Sequence, residues 1–121
     1  MSYDNNNIFA KILRGEIPCK KIYEDDFVLS FYDVNPQKKI HALVIPKGHY
    51  IDLDDFNLNA SPKEIVGLLK GISTVAKKLQ ISVDTGKGYR TLANISEHGG
   101  QEVPHLHFHL FGGERVGKMV E

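Results

Sequence analysis

Polar and apolar residues alternate most regularly near the carboxyl end of the chain, where histidine occupies every second position from His105 to His109. A period of two predicts a β-strand, because successive strand side chains point to opposite faces of the sheet. We therefore predict a strand over His105 to Phe111, preceded by Pro104, since proline is tolerated where a strand begins. The three imidazoles would share one face of this strand. The opposite face would carry the apolar residues between them, namely Leu106, Phe108 and Leu110.

Four further segments have the composition of strands. They are Lys20 to Glu24, Phe27 to Asp33, Ile40 to Ile45 and Tyr89 to Ile95. The first two form a predicted hairpin around the acidic turn Asp25-Asp26, and Pro46 ends the third. Alternation in the second strand places four residues on one face, namely Phe27, Leu29, Phe31 and Asp33.

Two helices are predicted. A short one runs from Ile8 to Arg14, with Asn7 as its N-cap and Gly15 as its stop. A long one runs from about Pro62 to Leu79, where Ser61 and Glu64 have the spacing of a capping box and apolar residues recur at helical spacing. Five strands with hairpin connections and separate helices predict an α+β domain: a five-stranded antiparallel sheet with one short and one long helix.

Length and charge narrow the function. The 121 residues fit one domain, residues 1–121, and the 15 basic residues balance 15 acidic ones. This balance gives no basic stripe for nucleic acid, so free nucleotides are the expected ligands. We expect no membrane partner, because no apolar run approaches the roughly 20 residues that span a bilayer. The polar amino terminus lacks the layout of a secretory signal, and Cys19 is the only cysteine, so a cytoplasmic location is expected.

The alternating histidines have two competing interpretations besides catalysis. They could form a polar strand face that only meets solvent, or they could bind a metal, because imidazole is the commonest metal ligand. The Cα atoms of His105 and His109 would lie about 13 Å apart on a strand, whereas zinc–nitrogen bonds are about 2.1 Å. All three rings would therefore converge poorly on one ion. The remaining metal alternative is a site made of two of these histidines and a third ligand such as Glu102 or His41.

The segment His105 to Phe111 resembles the signature of the histidine triad (HIT) nucleotide hydrolases and transferases. The resemblance covers nearly the whole chain in the family's order, and the closest branch is the Hint-like nucleoside phosphoramidases. Its other segments are Asn7 to Ile12, Gly15 to Pro18, Phe31 to Gln37, His41 to His49 and Gly99 to Val103. The resemblance implies a HIT-like fold whose sheet extends across a homodimer. The small residues Gly67 and Gly71 on the long helix also suit such an interface.

The resemblance also implies roles for four histidines. His107 would attack the α-phosphorus of a nucleotide, displace an amine and form a nucleotidyl-histidine that water hydrolyses. Attack needs a neutral ring with one free nitrogen, so we expect a backbone carbonyl near His105 to accept a hydrogen bond from the other nitrogen. His109 would bond a phosphate oxygen or the departing group. His41 and His105 would complete the polar network.

The expected nucleotide-binding residues follow from the same resemblance. Asp33 would accept hydrogen bonds from the ribose hydroxyls, and Asn94 and Gln101 would donate from their amides, helped by the backbone from Gly100 to Glu102. An apolar slot would hold the purine. Its residues would be Phe9, Ile12, Phe31 and Val34.

The sequence thus predicts a hydrolase of purine nucleoside phosphoramidates that needs no metal or other cofactor. The alternatives are a dinucleoside polyphosphate hydrolase or nucleotidyl transferase of the same family, or a nucleotide-sensing interaction protein with incidental catalysis. Two features near the expected leaving group differ from the animal members of the family. Glu102 stands where animal Hint proteins have serine, and the segment from Glu114 to Glu121 lacks the tryptophan of their tail.

Overall fold

The structure, a computed structural model, describes residues 2–121 and contains one five-stranded antiparallel sheet, as predicted. The strands lie in the order β1-β2-β3-β5-β4, so β5 pairs with both β3 and β4, and β4 forms one edge of the sheet. Every pair of neighbours is antiparallel. The strands are β1 (Lys21–Glu24), β2 (Val28–Tyr32), β3 (Ile40–Pro46), β4 (Arg90–Leu92) and β5 (Phe108–Gly112).

Within residues 2–121, four helices accompany the sheet, two more than the sequence predicted. They are α1 (Ile8–Leu13), α2 (Leu53–Asn59), α3 (Pro62–Lys78) and α4 (Ser96–Gly99). The predicted caps are present: the Asn7 side chain accepts the Ala10 N–H, and Ser61 and Glu64 form a complete capping box. No helix of residues 2–121 is long and apolar enough to span a bilayer.

The sheet carries an apolar cluster on each face. Helix α3 covers one face, where Leu68, Ile72 and Val75 pack with the buried Val28 and Val44. The other face lies against α1. Its buried cluster consists of Phe9, Leu29, Phe31, Leu43 and Ile45.

Both glycines of α3 face the sheet of their own chain. A Cβ on Gly67 would lie 2.6 Å from the Phe27 ring, and one on Gly71 would lie 2.9 Å from a Val28 methyl. The glycines therefore allow the helix to approach β2 closely. Their assignment to a dimer interface is not supported, because intramolecular packing accounts for both.

Phe27 lies on the opposite side of the sheet from the one predicted. The Asp25 carboxylate accepts the backbone N–H groups of Phe27 and Val28, which holds Phe27 in the turn before β2 begins. Its ring consequently packs with the cluster under α3, whereas Leu29 and Phe31 join the cluster under α1.

The last two strands are shorter than predicted. β5 begins at Phe108 rather than His105, because the N–H of His105 bonds the Val103 carbonyl around Pro104 and the N–H of Leu106 bonds the Tyr50 carbonyl. These groups are thus withdrawn from the sheet. β4 contains only Arg90–Leu92, since the chain turns into α4 at Ser96, whose φ is +58°.

Candidate active site

Four histidines lie together on the sheet face that also carries α1. His41, His105 and His107 are buried, and His109 is half-buried. The ring centroids of His107 and His109 are 5.1 Å apart, and those of His41 and His109 are 5.2 Å apart. Leu106 and Leu110 belong to the opposite cluster. The predicted division of the two faces is therefore confirmed, although β5 begins later than expected.

His107 keeps one ring nitrogen free for a ligand. Its Nδ1 lies 2.7 Å from the carbonyl oxygen of His105, which can only accept a hydrogen bond, so Nδ1 carries the proton. Burial lowers the pKa of His107, which keeps the ring neutral near pH 7. Its Nε2 therefore carries a lone pair. The expectation that a backbone carbonyl of this segment accepts the hydrogen bond is confirmed.

His109 has the opposite arrangement of donor and acceptor. The backbone N–H of Gln37 donates to Nδ1 of His41 (3.2 Å), which places the proton of His41 on Nε2. That Nε2–H donates to Nδ1 of His109 over 2.9 Å, so His109 carries its own proton on Nε2. Burial, together with the charges of His107 and His41, lowers the pKa of His109 to about 4. The site thus pairs a lone pair on His107 with a neutral N–H donor on His109.

His105 offers no nitrogen to a ligand. Its Nε2–H donates to the Pro46 carbonyl over 2.9 Å, and its Nδ1 accepts the Tyr3 hydroxyl over 2.6 Å. Burial, above all, lowers its pKa to about 4. Sequence reasoning grouped His105 with the catalytic residues, but the structure makes it a support for the backbone next to His107.

The hydrogen bonds argue against a metal held between Asp33, His41 and His109. Asp33, His41 and His109 each have a possible ligand atom within 4.8 Å of the others. However, the atom of His41 near Asp33 is Nε2, which carries a proton because Nδ1 faces the Gln37 N–H. A metal requires a lone pair at that position. A metal bound by the three alternating histidines would also lack His105 as a ligand, because both ring nitrogens of His105 already form hydrogen bonds.

The predicted apolar slot is only partly open. Phe9 and Phe31 are 7% and 4% exposed and pack edge to face, and Phe9 also packs against His107 with 4.9 Å between centroids. They therefore act as a wall of the site rather than as a free surface. Val34 is 90% exposed, and Ile12 is half-buried. Ile8, which precedes Phe9 in α1, is 46% exposed.

Gln101 does not have the free amide donor that we predicted. Its Nε2 donates to the carbonyls of Ile51 and Val103, and its Oε1 accepts the Ser96 N–H. The backbone N–H groups of Gly100 and Gln101 are also used, because they close α4. Gln101 thus joins the loop around Ile51 to the segment before the triad.

Three polar candidates remain accessible. Asp33 accepts the Asn35 N–H on one oxygen and lies 3.4 Å from His41 Nε2 with the other. Within residues 2–121, neither the half-buried Asn94 side chain nor the N–H of Glu102 has a hydrogen-bond partner. The exposed Glu102 carboxylate is close enough to offset part of the burial effect on the pKa of His107.

The sequence matches the HIT domain family over residues 14–116. The chain belongs to the histidine triad (HIT) family. It is 51% identical over 119 residues to a 13.2 kDa HIT-like protein of Azospirillum brasilense, covering 98% of this chain and 95% of the relative. It is 39% identical over 113 residues to the purine nucleoside phosphoramidase of Escherichia coli K12, covering 93% and 92% of the two chains.

A solved structure shares the fold. The HIT family hydrolase from Clostridium thermocellum superposes with a TM-score of 0.85 at 35% identity, covering 98% of this chain and 99% of the other. The histidine face described above is therefore the candidate active site of a HIT family hydrolase or transferase. Sequence reasoning missed two groups of this HIT site, the Gln37 N–H and the Tyr3 hydroxyl. Neither has a sequence signal, because one is a backbone group and the other lies 102 positions from its partner.

Proposed function

We propose that this protein hydrolyses the P–N bond of purine nucleoside 5′-phosphoramidates through a nucleotidyl-histidine intermediate. The observation that carries the proposal is the free lone pair on His107 Nε2 next to the N–H donor of His109. The relation to a named purine nucleoside phosphoramidase supports the choice of substrate.

The first step forms one bond and breaks one. His107 Nε2 bonds to the α-phosphorus, the P–N bond to the amine breaks, and the leaving nitrogen keeps the electron pair and takes up a proton from solvent water, which the attacking water of the second step gives back. The His109 N–H stabilises the charge that develops on a phosphoryl oxygen or the leaving nitrogen. The modified His107 is cationic and still donates from Nδ1 to the His105 carbonyl. It is therefore a good leaving group when water attacks the phosphorus in the second step.

The remaining accessible residues would hold the nucleoside. The Asp33 carboxylate has acceptor capacity left for the ribose hydroxyls, because each of its oxygens can accept two hydrogen bonds. Ile8, Ile12 and Val34 supply apolar surface for a purine beside the wall formed by Phe9. Asn94 and the Glu102 N–H are the donors for phosphate oxygens. No metal or other cofactor takes part in this scheme.

A rapid-quench experiment with labelled adenosine 5′-phosphoramidate tests the proposal. We expect an acid-labile adduct on His107 in the wild type. His107→Ala should lose the adduct and lower kcat by on the order of 10³-fold or more, as nucleophile removal does elsewhere. His109→Ala should turn over slowly and still form the adduct. His98→Ala, which changes an exposed histidine of α4, is the matched control.

Other outcomes would redirect the assignment. Appreciable activity in His107→Ala would favour direct attack by water. Faster cleavage of diadenosine polyphosphate or of a nucleotidyl sugar by the same sample would favour the other branches of the family. Activity that a chelator removes and zinc restores would contradict the metal-free scheme.

We also propose a homodimer that forms partly through the outer side of α3. This rests on the resemblance to Hint-like proteins, and the exposure of Val66 (50%) and Leu69 (61%) on that side supports it. Leu69→Lys should shift sedimentation from dimer to monomer without unfolding the protein, because Leu69 lies outside the core. A wild-type monomer at micromolar concentration would contradict the proposal.

A further inference from the structure

The segment before α1 reaches the active site through Tyr3. The Tyr3 ring stacks on His49, with centroids 4.6 Å apart and planes within 6°. Its hydroxyl lies 2.6 Å from Nδ1 of His105. Tyr3 thus contacts a triad residue that lies 102 positions further along the chain.

The direction of this hydrogen bond follows from the other nitrogen of His105. Because Nε2 donates to the Pro46 carbonyl, the neutral ring has its lone pair on Nδ1, and the Tyr3 hydroxyl is the donor. The ring is therefore held at both nitrogens. One bond comes from the end of β3, and the other comes from the amino-terminal segment.

Holding the ring also restrains the backbone of the same residue. His105 lies in the irregular segment before β5, where the other restraints on its peptide groups are the hydrogen bonds from the His105 and Leu106 N–H groups to the Val103 and Tyr50 carbonyls rather than strand pairing. Its carbonyl accepts Nδ1–H of His107 over 2.7 Å, which sets the tautomer and orientation of that ring. We propose that Tyr3 is a positioning residue that acts through His105 to aim Nε2 of His107. The consequence for turnover rests on the proposed function, whereas the structural coupling does not.

The competing explanation is that Tyr3 only anchors the amino terminus. Tyr3→Phe separates the two, because it removes the hydroxyl and keeps the ring that stacks on His49. Tyr23→Phe is a matched control: it removes a hydroxyl that bonds Asp25, in the turn after β1, over a similar distance of 2.8 Å.

Kinetics give the first readout. A lost hydrogen bond of this kind should lower kcat of Tyr3→Phe about tenfold. KM and the Kd for adenosine monophosphate should stay the same, because Tyr3 does not contact the proposed nucleotide site. Tyr23→Phe should match the wild type. In a His105→Ala background, Tyr3→Phe should have no further effect. An unchanged kcat in Tyr3→Phe, or an equal loss in both backgrounds, would overturn the proposal.

Nitrogen NMR of the histidine rings gives a second readout that needs no substrate. In the wild type, Nδ1 of His105 should resonate as an unprotonated nitrogen that accepts a hydrogen bond. In Tyr3→Phe it should move toward the position of a free unprotonated nitrogen, and the Nδ1 resonance of His107 should shift with it. If these shifts occur but no phosphoramidate is cleaved, the proposed function fails and the coupling stands. An unmoved His107 resonance refutes the coupling, whatever the activity.

Discussion

The burial of His105 should make the fold sensitive to acid, and the size of the effect can be worked out. The ring is fully buried between Tyr3 and the Pro46 carbonyl, and its pKa is about 4 against an ordinary value of 6.5. The unfolded chain therefore binds a proton more readily than the folded protein. As the pH falls below 6.5, protonation of His105 in the unfolded chain lowers the free energy of unfolding. The decrease levels off below about pH 4, where the folded protein binds the proton as well. For one such group the free energy of unfolding falls by about 2.5 kcal/mol between pH 7.5 and 4.5.

His105→Gln isolates this contribution, because glutamine can donate and accept hydrogen bonds but does not titrate. Carboxylates whose pKa is lowered in the fold, such as Asp25 and Glu64, also weaken the protein in acid. They are common to the wild type and the variant, so they cancel in the comparison. The exposed His98→Gln is the control.

Urea unfolding at pH 7.5 and 4.5 measures the difference. Far-UV circular dichroism is a suitable signal, since the chain has no tryptophan. The wild type and His98→Gln should lose equal free energies of unfolding between the two pH values, and His105→Gln should lose about 2.5 kcal/mol less. An equal loss in all three proteins would show that burial of His105 is not what makes the fold acid-sensitive.

Three further predictions follow from the geometry. Leu106→Ala, at a fully buried position, should cost about 2–5 kcal/mol of unfolding free energy in urea, and a cost below about 1 kcal/mol would contradict the packing described. Gly67→Ala should cost about 1–3 kcal/mol in the same assay, because the new methyl would overlap the Phe27 ring, whereas a stabilised variant would show that the helix can move away. Because burial lowers the pKa of both His107 and His109 below 6.5, kcat for phosphoramidate hydrolysis should stay level from pH 8 through 6.5, and a midpoint near 6.5 would contradict two buried neutral rings.

Periodicity was sufficient to predict the sheet, α1 and α3, because each has an apolar face that the core requires. It could not predict α2, whose sequence LDDFNLN has one buried residue, Phe56, and whose start depends on the cap formed by Asp52. It also predicted that β5 begins at His105, whereas the strand begins at Phe108. Alternation continues through His105, but the backbone hydrogen bonds there go to Val103 and Tyr50 rather than to a strand.

The site shows a similar division. The sequence identified the histidines that come together, since their spacing is local and their family signature is strong. It could not show which nitrogen carries each proton, because that depends on the Gln37 N–H and the His105 carbonyl, backbone groups that carry no signal in the sequence. Gln101 illustrates the converse error: a side chain suited to bind phosphate is fully occupied in holding two loops together.

His105 lies before the start of β5, and its backbone carbonyl accepts the Nδ1–H of His107. The position of the proton on the His107 ring therefore depends on a peptide group rather than on a side chain. No genetically encoded substitution at position 105 deletes that carbonyl, so random mutation can displace it but cannot remove it. Chemical synthesis can weaken it, by replacing the amide between His105 and Leu106 with an ester. The same replacement also removes the N–H that Leu106 donates to the Tyr50 carbonyl. One peptide group of the main chain therefore sets which nitrogen of His107 is basic, through the His105 carbonyl, and ties its segment to the loop at Tyr50, through the Leu106 N–H, so this replacement changes both properties together.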